Sequence, residues 1–420
     1  MHTFKSLGVD FKHASINGID FFSFEKANAP IFVSVFFHAG SKYNTKDGVA
    51  HFLEHLLVAG SERFTSKNLL AEYIENTGGR FSASTNSDFI RIDLEVAESE
   101  DMPVLIDILD QMVNKSSLTA SQFEVEKKAI LAELVGKKTH QREFAWDVFQ
   151  KLAFQGTILS KTNLGTERSI QEMSVDDVAT FKTSYFSKGK VSVIMAGGIE
   201  TQEWSEKLAR VLGDRTGAPI HAEKAIAIRD QWFAIEPYAS KLASFYFGFR
   251  TDTQNIKDEA CAKICADYLA GGRSSNLITK LRYEHGLVYS VVAINRFLQN
   301  GSIFSVRTDC DSDNLKQTLS LIDMSFKELC KNCIASEKLQ NIKSKISKSF
   351  LIELQTSKSW VVHNERLVTA NNGASILDLL SAIHEVSAED AIQYARKNFS
   401  LEKKYLAVCG PSSVVSMVQK

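Results

Sequence analysis

The sequence predicts an α+β protein of two similar α/β-sandwich domains, each a mainly antiparallel sheet packed with helices. Three observations predict it. Strand pairs stand next to helix pairs, and that order recurs after about 200 residues. The stretch Gly213–Arg229 loses hydrophobic periodicity between the two repeats. A chain of 420 residues also has room for two to three domains at roughly 150 residues each. The domains are expected at 1–215 and 230–420, the second of the same plan as the first.

The elements follow in order. Asp20–Glu25 and Ile31–His38 read as strands, and the second is apolar on both faces, as a central strand is. Gly48–Ala59 reads as a helix with an apolar stripe at Val49, Phe52, Leu53, Leu56 and Leu57. Ser66 is placed to cap a helix over Ser66–Asn76, and Gly78-Gly79 stops it. Phe81–Thr85 and Phe89–Val96 alternate as a strand pair around Asn86-Ser87. Helices are expected over Met102–Asn114, Ala120–Lys138 and Val175–Tyr185, the last capped by Ser174, and a strand over Lys190–Ala196. In the second half, strands are expected at Trp232–Glu236, Ser244–Arg250, Leu287–Phe297, Ser302–Asp309 and Tyr405–Cys409. Helices are expected at Asp258–Leu269, Ser274–Glu284 and Ala388–Asn398, with a broken helical run from Asp313 to about Ala370.

Composition excludes several classes. The chain has 49 basic and 50 acidic side chains, so no overall field favours nucleic acid or an anionic membrane. Five prolines exclude a proline-rich stalk. The longest apolar run, Ile31–Phe37, is strand length and too short to span a bilayer. The segment Met1–Asp20 has neither the apolar core of a secretory signal nor any arginine. The six cysteines all fall in the second half, which suits reduced thiols better than a disulfide framework. A cytoplasmic chain is therefore expected. Cys330 and Cys333 have C-x-x-C spacing without a second pair, and Cys261 and Cys265 suit core packing.

The sharpest chemical signal is His51-Phe52-Leu53-Glu54-His55. Residues four apart on a helix differ by about 40° around the axis, so both imidazoles can face one metal ion with Glu54 next to them. Neutral imidazoles suit Zn²⁺, and a catalytic zinc takes three protein ligands and an open position. A neighbouring carboxylate can act as general base. A histidine pair at this spacing also arises by chance, so a third ligand is needed. Glu126 and Glu133 lie seven apart on the helix Phe123–Leu134, hence on one face. Alone they read as a solvated acidic stripe.

H-x-x-E-H is the inverted zinc signature. The stretch Gly48-Val-Ala-His-Phe-Leu-Glu-His-Leu-Leu-Val-Ala-Gly60 resembles the pitrilysin family of zinc metallopeptidases, and within it the branch like the mitochondrial processing peptidase. The resemblance implies one Zn²⁺ per chain held by His51, His55 and Glu133, with Glu54 as general base and Glu126 supporting the site. It implies that the strand Gly78–Thr85, with Phe81, Ser82 and Ala83, binds an extended peptide by strand addition. The family has asparagine where this chain has Ser82 and commonly an aromatic where it has Val58. Asn163-Leu-Gly165-Thr166 and Gly197-Gly198 also follow the family pattern, as scaffold.

In the second half, Gly271-Gly272 lacks the spacing of a phosphate-binding loop. Arg282 and Tyr289 read alone are a surface charge and a packed aromatic. In the family an arginine and a tyrosine at this spacing contact substrate near the scissile bond. The resemblance further implies a homodimer, or a heterodimer with a homologous subunit of similar length. The expected activity is zinc-dependent endopeptidase action on peptides or unstructured segments. The alternatives are a subunit of a heterodimeric leader- or propeptide-processing enzyme, or a non-catalytic structural subunit. No nucleic acid and no membrane span are expected.

Overall fold

The computed structural model describes residues 3–216, 231–298, 301–369 and 373–414. The strands are β1 (Asp10–Ile16), β2 (Ile19–Glu25), β3 (Ile31–Phe37), β4 (Arg80–Thr85), β5 (Ile90–Val96) and β6 (Val191–Gly197) in one sheet. A second sheet holds β7 (Phe233–Pro237), β8 (Leu242–Thr251), β9 (Val288–Leu298), β10 (Gly301–Asp311) and β11 (Tyr405–Gly410). The fold is α+β: two sheets, each packed with helices. Both are mainly antiparallel, with parallel pairs at β2–β6 and β7–β11.

The chain divides into two compact units. The first comprises Met1–Val135, Lys161–Glu223 and Ile352–Leu377, and the second Gly136–Ser160, Lys224–Leu351 and Asp378–Lys420. Neither unit is continuous in sequence. The segment sought as a boundary at Gly213–Arg229 lies outside the described residues from 217 on.

In the first unit the strand order is β1-β2-β6-β3-β5-β4. All seven residues of β3 are buried, as its two-faced apolar pattern predicts. One face of the sheet receives the helices Val49–Ala59, Lys67–Glu75, Met102–Val113 and Thr201–Leu212, which close a single apolar core with Phe21, Val33, Val35, Ile92 and Leu94. The other face is covered by the short helix Ser357–His363, which packs on β3, β6 and β2. Its Trp360 is 2% exposed and stacks on Phe24 with ring centroids 5.6 Å apart. Burying aromatics of this size stabilises the unit by about 1.5–3 kcal/mol each.

The capping residues read from sequence act as caps. Ser66 accepts from the Leu69 amide, and Ser174 closes a reciprocal box with Asp177. The helix Val49–Ala59 starts at Gly48, whose φ of +91° is left-handed. A Cβ there would also meet the Leu164 carbonyl oxygen at 2.8 Å, so glycine is required. The strand β1 was not foreseen. Its residues alternate between exposed and half-buried, so the apolar signal is weak.

The second unit repeats the plan with strand order β7-β11-β8-β10-β9. The unforeseen helix Gln141–Ala153 packs on β8, β11 and β7, with Phe149 stacked on Tyr246. The opposite face gathers Phe247, Phe249, Phe304, Phe326 and Phe399. Here the expected helix Ser274–Glu284 is instead a short α-turn, Asn276–Ile278, running into a π-helical turn, Thr279–Glu284. Cys261, Cys265, Cys310 and Cys409 are buried. Burial pushes the Cys261 and Cys409 thiols up to about 12, which makes them poor nucleophiles. Among the described residues no helix is long and apolar enough to cross a membrane.

Candidate metal centre

The helix Val49–Ala59 is amphipathic, and its apolar side is buried against the first sheet. That anchoring leaves His51, Glu54 and His55 on the remaining side. The two imidazole rings lie 4.7 Å apart, as the four-residue spacing predicts. The helix Ala120–Thr139 passes alongside, docked through buried Phe123 and Ile130. Phe123 stacks on Phe52 with centroids 4.5 Å apart, which fixes the two helices face to face. Glu126 and Glu133 both emerge toward the histidines.

Glu133 Oε2 lies 3.6 Å from His51 Nε2 and 3.5 Å from His55 Nε2. The donor atoms of the three side chains all fall within 4.8 Å of one another. Two atoms each roughly 2.1 Å from a common ion at a tetrahedral angle are about 3.4 Å apart. The observed separations therefore fit a zinc-sized cation, and two imidazoles with one carboxylate are a donor set that zinc accepts. Among the described residues no other three such groups come together in this way.

Glu126 sits behind the cluster. Its Oε2 is 2.8 Å from His55 Nδ1. With Nδ1–H donating there, the Nε2 lone pair of the neutral ring is directed at the cluster. Burial alone would lower the pKa of His55. The hydrogen bonds to Glu126 and Glu133 outweigh it and raise the imidazole to about 9. The Glu54 side chain is 12% exposed, and desolvation raises its carboxyl above the ordinary range, against the opposing hydrogen bond from Thr85. Its Oε2 is 4.0 Å from His51 Nε2.

Phe81, Ser82 and Ala83 lie on β4, the outer strand of the first sheet, bonded to β5 on one side. An outer strand leaves a row of backbone donors and acceptors free for strand addition. Phe81 and Ala83 are half-buried and packed on the core. Ser82 is exposed and turns to the opposite face, across from Asp93.

Arg282 and Tyr289 belong to the second unit. The Arg282 guanidinium lies 4.6 Å from the Tyr289 ring centroid and 5.7 Å from that of Tyr283. Tyr289 is 79% exposed, so the core-aromatic alternative fails for it. Arg282 falls within the π-helical turn, a distortion often found at functional positions. Sequence reasoning missed Thr85, whose hydroxyl donates to Glu54 at 2.8 Å. The signal available was its place at the end of the predicted strand, two alternations from Phe81.

Two histidines and a glutamate from two neighbouring helices of an α+β fold thus form a group able to hold a zinc-sized cation. Residues 25–167 match the model of the insulinase family, peptidase family M16. Residues 172–346 match the model described as the peptidase M16 inactive domain. The chain belongs to peptidase family M16. An uncharacterised zinc protease of Bacillus subtilis is 22% identical over 392 residues, covering 90% of this chain and 93% of that one. The β subunit of the mitochondrial-processing peptidase of Bos taurus is 24% identical over 417 residues, covering 94% and 83%. The peptidase M16 inactive domain from Pseudomonas fluorescens superposes with a TM-score of 0.86 at 18% identity, covering 96% and 98%, a likeness of fold.

Proposed function

We propose that this chain is a zinc-dependent endopeptidase acting on peptides or unstructured polypeptide segments. The observation that carries the reading is the convergence of His51, His55 and Glu133 next to the largely shielded carboxylate of Glu54. Zinc held by those three side chains supplies Lewis-acid polarisation of the scissile carbonyl and lowers the pKa of water.

The chain's own residues do the rest. Glu126 takes the Nδ1 proton of His55 in a hydrogen bond and so directs Nε2 at the cluster. Glu54, raised by burial, takes the proton of the attacking water at a carboxylate oxygen. It then returns that proton to the leaving amine. The backbone of β4 aligns an extended substrate through main-chain hydrogen bonds. Arg282 and Tyr289 offer a guanidinium and a phenol to substrate carbonyls, contributed by a second chain in a homodimer or heterodimer.

The similarity to the β subunit of a mitochondrial-processing peptidase favours one variant of this reading. In it the chain is one half of a heterodimer that processes leader or propeptide segments. A non-catalytic structural role is disfavoured by the complete donor set.

The test is mass spectrometry of an unstructured peptide mixture incubated with the zinc-loaded chain and, in parallel, with Glu54→Gln. Internal cleavage by the wild type alone supports the reading. Undiminished cleavage by Glu54→Gln rejects Glu54 as the base. If the wild type fails to cleave despite bound zinc, co-purification decides between a missing subunit and a structural role.

A further inference from the structure

The strand β4 ends at Thr85, and the Thr85 hydroxyl donates to Glu54 Oε2 at 2.8 Å. Among the described residues Thr85 is the hydrogen-bond donor to this carboxylate. The contact is itself held in place. Asn163 Nδ2 donates to the Thr85 carbonyl oxygen at 3.2 Å, and Asn163 Oδ1 accepts from Ser41 Oγ at 2.7 Å. Three residues past Ser41, the Asn44 side chain accepts from the Ala50 amide at 3.1 Å, in the first turn of the helix that carries Glu54. One polar network thus ties the end of β4 to the start of that helix.

A carboxylate rotates broadly about its last torsion, with no staggered well to hold it. The helix sets where Glu54 begins, and a neighbour must set how its carboxylate plane lies. We propose that Thr85 is a positioning residue for Glu54. Its hydroxyl engages Oε2 and so sets the plane of the carboxylate that receives the proton of the attacking water. Asn163 keeps Thr85 in place through the Thr85 carbonyl. The arrangement also links recognition to chemistry, because a peptide added along β4 lies on the strand whose last residue holds the base. The inference rests on the reading of Glu54 as general base.

The experiment compares wild type, Thr85→Val, Thr85→Ser and Glu54→Gln, each with measured zinc content and thermal midpoint. Thr85→Val is expected to lower kcat about tenfold to a hundredfold with KM and zinc content unchanged, the scale of a hydrogen bond to a charged group. Thr85→Ser is expected to recover most of that loss. In a Glu54→Gln background, Thr85→Val should have no further effect on rate. A wild-type kcat in Thr85→Val, with Glu54→Gln inactive, overturns this inference and leaves the general base intact. Full turnover in Glu54→Gln instead overturns the reading beneath it. A crystal structure of Thr85→Val gives a readout independent of activity. A Glu54 carboxylate rotated from its wild-type plane supports the role, and an unmoved one overturns it. Should the valine chain fail to fold, Thr85→Ala provides the same comparison with Thr85→Ser.

Discussion

The carboxylate of Glu126 lies 2.8 Å from Nδ1 of His55, on the side of the ring away from the Glu133 contact. It therefore chooses the tautomer of His55 without entering the cluster itself. Outer partners of this kind commonly contribute 10–100-fold to metal affinity, in approximate terms. Glu126→Gln should weaken zinc binding on that scale while leaving the fold in place, since Glu126 is partly solvated. Chelator competition measures it, and an unchanged zinc affinity would show that His55 needs no help.

The same hydrogen bonds give zinc binding a pH dependence. His55 in the metal-free chain titrates at about 9, because Glu126 and Glu133 overcome the effect of burial. At neutral pH it is therefore mostly protonated, and binding a metal at Nε2 must expel that proton. Zinc affinity should fall about tenfold per pH unit below pH 9 from this group alone. Calorimetry at pH 7.5 in buffers of different ionisation enthalpy should register close to one proton released per zinc. No net release would reject the assignment.

His38 carries a separate pH effect, on stability. Burial, with Lys190 and Lys42 nearby, lowers its pKa to about 4, against a smaller opposing influence from Asp20. It sits at the end of β3 with Nε2 3.2 Å from Ser192 Oγ. A group lowered from about 6.5 in the unfolded chain is neutral in both states above that pH, and its contribution is then complete. Stability should be lost as pH falls from about 6.5 through 4, by roughly 3 kcal/mol at most. Denaturant unfolding of metal-free protein across this range, with His38→Gln as reference, checks it. Equal slopes for the two chains would remove His38 as the source.

If Arg282 and Tyr289 act from a second chain, inactive variants should complement one another. Glu54→Gln and Arg282→Ala chains, each inactive alone, should recover part of the wild-type activity when mixed. Activity that stays absent in a mixed dimer confirmed by mass would count against contribution in trans.

Much of the site was legible in the sequence, because helices repeat over a few residues. The His51–His55 spacing determines that their rings meet, whatever surrounds the helix. The seven-residue spacing places Glu126 and Glu133 on one face for the same reason. The burial of β3 and the caps at Ser66 and Ser174 are equally local. Other features depend on which distant segments pack together, and no period in the chain records that. Thr85 reaches Glu54 only because β4 pairs with β5 in one register, which brings the strand end to the helix. The residues Ile352–Leu377 belong to the first compact unit although they follow the second sheet's strands β7 to β10 in sequence. Local periodicity sets which face of an element is apolar, whereas long-range packing sets which partner covers it. The meeting of the two histidines was therefore readable from spacing, Glu133 was joined to them only through the family resemblance, and the orientation of the Glu54 carboxylate was not readable at all.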